Sequence, residues 1–350
     1  MKIAIVTDAW EPQVNGVVVT LKMTCRELEA MGHEVVMITP ADFKSLPCPT
    51  YPDIRLAMAS RHAVEQRLDA MKPDGLHLAT EGPLGWAARA VAIHRGWLFT
   101  TAYHSRFPEY LHLRTRVPLS WSYAALRHFH HAGHATLVTT NSMIDDLVER
   151  GFDRCHVWTR GVDLDAFSPH GARLDRGKAP VFLYVGRLAV EKNIDAFLKL
   201  DLPGEKWVAG IGPEEARLKR CYPGVRWFGV LRGDDLATLY RTADVVVFPS
   251  LTDTFGLVMV EAMACGTPVA AFPVTGPKDV VDDQGLGGIL DPDLWRACIH
   301  ALGCDRDKVR AHAEQYHWRR ATEQFMAHLP LIVHGGSKVS VDRAMQATFN

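Results

Sequence analysis

Two ladders of short apolar runs, each run followed by a stretch of helix length, constrain this sequence more than any other feature. Lys2–Thr7, Glu34–Thr39, Gly75–Leu78, Leu98–Ala102 and Thr136–Thr140 form the first ladder. Val181–Val185, Lys206–Ala209, Val225–Phe228, Val245–Phe248 and Pro268–Ala271 form the second. Runs this short and this apolar read as strands covered on both faces, and segments such as Val18–Met31 and Gly85–Arg95 read as the crossover helices between them. The helix through Cys25–Met31 is expected to stop at Gly32, a left-handed cap position. Between the ladders, Ser168-Pro169-His170-Gly171 to Gly177-Lys178-Ala179-Pro180 is polar and turn-rich, which predicts a linker.

The expected architecture is α/β: two Rossmann-like, doubly wound domains with a cleft between them, where the carboxyl ends of the strands face a ligand. An apolar content of 47% in 350 residues supplies two ordinary cores. Residues 1–170 are read as one domain, 171–315 as the second, and 316–350 as a terminal helix plus tail. Trp318, Ala321, Phe325 and Leu329 stand at roughly helical spacing within Glu314–Leu329, and the tail after Gly335-Gly336 carries weak structural signals.

Charge excludes a nucleic-acid binder. There are 17 basic against 18 acidic residues up to position 170 and 22 against 22 after it, so neither half is strongly basic. The seven cysteines are scattered singly, without a C-x-x-C pair, which reads as reduced thiols. The four-residue apolar run at the start is too short for a signal-peptide core, and no stretch approaches a membrane span. A cytoplasmic location, with any membrane contact peripheral, is the expectation.

Common nucleotide signatures are missing. Gly210-Ile211-Gly212 lacks the third glycine of a dinucleotide fingerprint, because Glu215 occupies its place. Gly177-Lys178-Ala179 has neither the spacing nor the hydroxyl of a phosphate-binding Walker loop.

The most informative stretch is Pro249 to Pro268, containing Thr252-Asp253-Thr254-Phe255-Gly256-Leu257-Val258-Met259-Val260-Glu261. A strand ends at Pro249, and a helix is predicted to begin near Phe255 with Asp253 or Thr254 as its cap and to end at Gly266. Such a helix start presents unpaired N–H groups to the cleft, which suits a phosphate. An acid on the first turn reaches sugar hydroxyls, and Glu261 further along reaches the vicinal hydroxyls of a ribose. The plain alternative is a helix cap and a solvated helix acid.

This D-x7-E frame resembles the E-x7-E signature of the retaining glycosyltransferases of family four, which have the GT-B fold. The resemblance extends over residues 1 to about 330. Thr7-Asp8-Ala9-Trp10-Glu11-Pro12-Gln13-Val14-Asn15-Gly16-Val17-Val18 is similar to the family's first strand and its glycine-containing loop. Thr80-Glu81-Gly82-Pro83-Leu84-Gly85 and Ala102-Tyr103-His104-Ser105-Arg106-Phe107-Pro108-Glu109-Tyr110-Leu111 are similar to its next two signatures, and Arg160-Gly161-Val162-Asp163 to the one between the domains.

The resemblance implies catalytic roles for His104, Arg187, Lys192 and Asp253, and donor contacts for Gly16, Gly186, Phe255, Gly256, Leu257, Val258 and Glu261. Arg187 and Lys192 match the cations that hold the donor diphosphate, whose negative charge grows as it leaves. Glu261 matches the acid on the nucleotide ribose, and the Phe255–Val258 backbone matches the amides near phosphate and sugar. A side chain at Gly256 would block the ligand's approach. Asp253 matches the first acid of the signature, one carbon shorter than the usual Glu, and His104 a histidine at the cleft edge that positions the donor sugar.

The family implies transfer of a hexose from a nucleotide diphosphate sugar, a UDP-sugar or GDP-mannose, with retention and no obvious protein nucleophile. No cofactor is expected and no metal for catalysis, since no D-x-D motif of the metal-dependent type stands next to a suitable strand; Asp163-Leu164-Asp165 lies at the interdomain turn. From Arg106 to His134, four arginines (106, 114, 116, 127) and five histidines (112, 128, 130, 131, 134) alternate with Phe107, Tyr110, Trp121, Tyr123 and Phe129. This region reads either as a membrane-facing surface or as an amphipathic helix partly in the core. His130 and His134, four apart, could also face one metal.

The signatures resemble most the branch of glycolipid and sulfolipid synthases and lipid α-mannosyltransferases, which implies a membrane-lipid acceptor of diacylglycerol or phosphatidylinositol type. A soluble or lipopolysaccharide-core sugar is the alternative acceptor. A sugar-nucleotide epimerase and a non-catalytic sugar-binding protein are the alternatives from other classes.

Overall fold

The computed structural model describes residues 1–13, 15–48, 51–282 and 285–332; the expected tail after Gly336 lies outside them. Its strands are β1 Lys2–Val6, β2 Glu34–Ile38, β3 Ser45–Cys48, β4 Tyr51–Ala57, β5 Gly75–Leu78, β6 Thr100–Tyr103, β7 Ala135–Val138 and β8 Cys155–Val157. A second series follows: β9 Val181–Val185, β10 Glu205–Ala209, β11 Arg226–Gly229, β12 Val245–Phe248, β13 Val269–Ala271 and β14 Gly288–Leu290. Two parallel six-stranded sheets result, ordered β2-β1-β5-β6-β7-β8 and β11-β10-β9-β12-β13-β14. This is the GT-B arrangement of two Rossmann-like domains.

Both sheets reverse their winding at the same relative place. β1 lies between β2 and β5, and β9 lies between β10 and β12. Ligands of such folds bind where the order reverses, at the carboxyl ends of the strands. The four loops leaving β1, β5, β9 and β12 begin at Thr7, Ala79, Gly186 and Pro249, and each carries one of the sequence signatures.

Each sheet is covered on both faces, which explains why its central strands are apolar throughout. Phe182, Tyr184, Val245 and Val247 pack to one side of the second sheet, and Val181, Leu183, Val246 and Phe248 to the other. In the first sheet, Ala4 and Val6 face one cluster while Ile3 and Ile5 face another. The second of these includes Trp318, Ala321, Phe325 and Leu329, so the helix Trp318–His328 lies on the first sheet beside the helix Gly16–Ala30. Phe325 is fully buried there, a contribution of about 2–3 kcal/mol from its ring. A side-chain carbon at Gly161 would come within 2.3 Å of the Trp318 nitrogen, so this crossing needs a glycine.

Several boundaries move. The strand expected at Leu98–Ala102 starts at Thr100, because Gly96 closes the helix Pro83–Arg95 in the left-handed region and Trp97 and Phe99 are spent in the core. The hairpin β3–β4 and the three-residue edge strands β8 and β14 had no counterpart in the sequence reading. The helix Gly16–Ala30 is followed by Gly32 at φ +83°, as its composition predicts. The segment around 168–180 lies along the helix Gly233–Thr242, held by buried Arg241, which donates to the Ala172 carbonyl at 2.9 Å.

Candidate active site

In the second domain, β9 runs into Gly186, whose φ of +150° turns the chain toward the cleft. A side-chain carbon at Gly210 would lie 1.9 Å from the Gly186 carbonyl, and one at Gly212 2.3 Å from that of Leu188. The Gly210-Ile211-Gly212 pair therefore lets two strand-end loops touch. Tyr184 donates its hydroxyl to the Arg187 carbonyl at 2.9 Å, fixing the backbone from which that side chain leaves. A single 3₁₀ turn, Val190–Lys192, then delivers Lys192. Its ammonium group meets Asp253 at 2.5 Å.

Two further bonds bind this loop to the one after β12. The Asn193 amide donates to the Pro249 carbonyl at 3.0 Å, and Thr252 Oγ1 to the Glu191 carbonyl at 3.3 Å. Asp253 uses Oδ1 on Lys192, while its Oδ2 is buried without a hydrogen-bond partner. An unpaired buried carboxylate oxygen is costly, and hydroxyls of a ligand would relieve it.

The helix that follows is Leu257–Ala264, and its start corrects the sequence reading. Neither Asp253 nor Thr254 caps it: the cap position is Gly256, which makes no side-chain bond, and Phe255 lies before the helix. Asp253 is spent on Lys192, and Thr254 donates its hydroxyl to the His104 carbonyl of the first domain at 2.7 Å. Asp253 thus sits in the loop rather than on a helical turn, so the D-x7-E spacing reflects two separate elements. Gly256 has a φ of +88°, and a side-chain carbon there would press on Met259 Cε and Phe248 Cζ at 2.8 Å. The fold itself demands this glycine. The backbone of Leu257 and Val258 forms the first turn, free of any side-chain cap.

Glu261, one turn on, is half-buried and accepts from the Tyr240 hydroxyl at 2.9 Å. Burial pushes its carboxyl up to about 7, against the opposing pull of that bond.

From the first domain, Gly16 opens its helix under the cap of Asn15, whose Oδ1 accepts from the Val17 and Val18 amides at 3.0 Å. A side-chain carbon at Gly16 would stand 3.6 Å from Leu257, so the two helix starts face each other across the cleft. His104 follows β6. Its Nδ1 is 2.9 Å from Arg160, and its Nε2 is buried with no partner. Burial and the Arg160 charge hold the ring well below the usual histidine range, hence neutral.

Sequence reasoning missed Arg160 as part of the site, although the motif containing it was visible. It also missed why two first-domain motifs occur together. Asp8 accepts from Thr80 Oγ1 at 2.9 Å and from the amides of Leu84 and Gly85 at 2.9 and 3.3 Å, joining the loops after β1 and β5 into one unit. The domains meet through the loop 252–254: Tyr110 donates to the Thr252 carbonyl at 3.4 Å, and Thr139 to that of Thr254 at 2.7 Å. The Ser142 amide donates to Asp279 at 3.0 Å.

The region Arg106–His134 forms two helices, Phe107–Thr115 and Leu119–His130. His130 and His134 do not share a helix face, because the helix ends between them; buried His130 instead bonds Thr101 and Glu81, at 2.8 and 3.1 Å. Among the described residues no group of three His, Cys, Asp or Glu is arranged to hold a metal. Phe107, Leu113 and Trp121 are exposed, Trp121 by 72%. Arg106 pairs with Asp146 at 3.2 Å, and Arg127 donates to the Arg150 carbonyl at 2.8 Å; the Arg114 side chain lies outside the described residues.

Comparison with known proteins agrees with this fold. Residues 14–166 match the model of Glycosyltransferase Family 4, and residues 179–303 that of Glycosyl transferases group 1. The chain is 30% identical over 340 residues to the sulfoquinovosyl transferase of Arabidopsis thaliana, covering 85% of this chain and 67% of that protein. It is 28% identical to a GDP-mannose-dependent alpha-mannosyltransferase of Mycobacterium tuberculosis, covering 92% and 99%. Among solved structures, sucrose-phosphate synthase from Thermosynechococcus elongatus superposes with a TM-score of 0.76 at 20% identity, over 93% of this chain and 97% of that one. Anabaena HepE in complex with UDP and glucose does so with 0.67 at 17%, over 93% and 98%. The chain belongs to the GT-B glycosyltransferases of family 4 and group 1, related to their mannosyltransferase and sulfoquinovosyl-transferase branches, and is a nucleotide-sugar-dependent glycosyltransferase.

Proposed function

We propose that this enzyme transfers a hexose from GDP-mannose or a UDP-sugar to a hydroxyl of a membrane lipid, at the cytoplasmic face of a membrane to which it attaches peripherally. The observation that carries the donor-site reading is the cleft pair Lys192–Asp253, with Asp253 Oδ2 and His104 Nε2 buried and unpartnered beside it. These are an acceptor and a donor of hydrogen bonds, the complement of a sugar's hydroxyls. Arg187 and Lys192 would hold the diphosphate. The amides of Leu257 and Val258 would face it from their helix start, with Gly16 opposite. Glu261 would take the ribose, and Gly186 and Gly256 would leave room for the chain's close approach.

The chemistry asked of the protein is orientation and electrostatics. The acceptor oxygen forms a bond to the anomeric carbon on the face from which the diphosphate oxygen departs. The acceptor's proton passes to that departing oxygen, and configuration is retained. Lys192 and Arg187 stabilise the negative charge that grows on the leaving group.

One observation supports a lipid acceptor. Phe107, Leu113 and Trp121 are exposed on neighbouring helices beside the cleft residue Tyr110, with Arg116 also exposed. Aromatic side chains with cations suit an anionic bilayer surface. The Mycobacterium tuberculosis relative is GDP-mannose-dependent, which supports that donor. Purified enzyme incubated with labelled GDP-mannose or UDP-sugars and a total lipid extract should place label in the organic phase with one donor. Label confined to water-soluble products with every donor overturns the lipid acceptor.

A further inference from the structure

We propose that Arg160 is a positioning residue: it holds His104 in the tautomer that carries its proton on Nε2, so that the cleft receives a neutral N–H donor. The functional half of this rests on the reading above, in which His104 touches the donor. The structural half stands on the free protein.

Arg160 Nη2 lies 2.9 Å from His104 Nδ1. A guanidinium has donors only, so Nδ1 must accept with its lone pair and the ring proton must sit on Nε2. The guanidinium cannot turn away, because Nη1 donates to the carbonyls of Trp158 and Thr159 at 2.7 and 3.1 Å. Its carbon lies 4.6 Å over the Trp158 ring, and Trp158, fully buried, meets the His104 ring edge-on at 5.5 Å. Arg160 is itself only 3% exposed. Three contacts from the segment leaving β8 therefore fix one nitrogen of a residue leaving β6.

The more familiar partner for a histidine Nδ1 is a carboxylate or a carbonyl, which keeps the proton on Nδ1. A carboxylate also favours the imidazolium. A cation does the reverse on both counts. The other groups bearing on the ring are His77 from β5 and His130 from the helix Leu119–His130, each disfavouring protonation of His104 as Arg160 does. Across the cleft, Asp253 is already engaged by Lys192. His104 Nε2 is the nitrogen left without a partner, and it is buried. The arrangement supplies a hydrogen-bond donor that carries no charge and is not drawn into the imidazolium form by a neighbouring carboxylate. Such a group can serve the sugar hydroxyl or phosphate oxygen over a wide pH range.

The test combines spectroscopy with a mutant cycle. In protein labelled with ¹⁵N-histidine, the His104 signal, identified by its loss in His104→Ala, should show the Nε2–H pattern in the wild type. In Arg160→Met it should become a mixture of tautomers that titrates toward the ordinary histidine range. Arg160→Met should lower kcat about a hundredfold and give kcat/KM a new acid limb. In the His104→Ala background the same substitution should have no further effect on kcat. Arg160→Lys, whose ammonium group has donors only, should keep the Nε2–H pattern and restore most of kcat, and it serves if the Met variant does not fold. A wild-type ring protonated on Nδ1, or effects of Arg160→Met and His104→Ala that multiply, overturns the proposal. Wild-type turnover in His104→Ala overturns the donor-site reading of His104 instead, and the tautomer measurement is independent of it.

Discussion

Lys192 and Asp253, 61 residues apart in sequence, meet at 2.5 Å where the loops after β9 and β12 converge. Each is mostly buried, at 23% and 15% exposure of the side chain, so each charge depends on the other. Lys192→Ala leaves Asp253 buried and unpaired, and Asp253→Ala frees the cation but removes the hydroxyl acceptor. Each variant should lose about 100- to 1,000-fold in kcat/KM while retaining a cooperative thermal transition. The double variant should lose less than the product of the two. Donor turnover with melting curves for all three checks this.

Glu261 predicts a pH dependence of donor binding. Its carboxyl titrates at about 7, so it becomes the better acceptor for ribose hydroxyls as pH rises through 7. Affinity for the nucleoside diphosphate should strengthen over that interval beyond the change seen in Glu261→Gln. The same variant should bind about tenfold more weakly at pH 8.

The stability effect of that group has the opposite sense. A carboxyl raised above its unfolded value stabilises the fold fully only below about 4.5; stability falls as pH rises toward 7 and then levels. Glu261→Gln should therefore melt higher than the wild type at pH 8, by about 1–2 kcal/mol, and show no gain at pH 4. Denaturant titrations at the two pH values separate this from the loss of binding.

Gly256→Ala should destabilise the second domain by about 1–3 kcal/mol, because φ is +88° and two side chains stand at 2.8 Å from the new carbon. The helix start would be displaced with it, so nucleoside diphosphate binding should weaken alongside the lowered melting temperature.

Replacing Phe107, Leu113 and Trp121 together by Ser should reduce sedimentation with anionic vesicles by about tenfold or more, with nucleoside diphosphate binding unchanged. Unchanged vesicle binding would remove the support that this exposed patch lends to a lipid acceptor.

Much of the scaffold was legible because its strands are covered on both faces. Val181–Val185 and Val245–Phe248 are apolar from end to end, and a run of that kind between turn residues has few other solutions. Edge elements lack that constraint. β8 and β14 are three residues long, and β3 contains Pro47, so none produces a readable pattern. The candidate site was legible only as motifs. Which atoms meet depends on long-range pairing, as between Lys192 and Asp253 or Arg160 and His104, and spacing along the chain is silent about such pairs. The assignment of Asp253 as a cap failed for this reason: local sequence favoured the cap, and a lysine 61 residues away took the carboxylate instead.

The return of the helix Trp318–His328 to the first sheet means that the chain passes between the domains twice, near Val162 and again near Tyr316. The Val162 amide donates to the Tyr316 carbonyl at 3.0 Å, tying the two passages side by side. A single tether would let one domain swivel freely about it, whereas a doubled one acts as a hinge with a defined axis. The loop 252–254 lies away from that axis, and its bonds to His104, Tyr110 and Thr139 can break while the bond at the hinge persists. An opening of the cleft to exchange ligands would then follow one repeatable motion, and each closure would return Asp253 and Lys192 to the same place opposite His104.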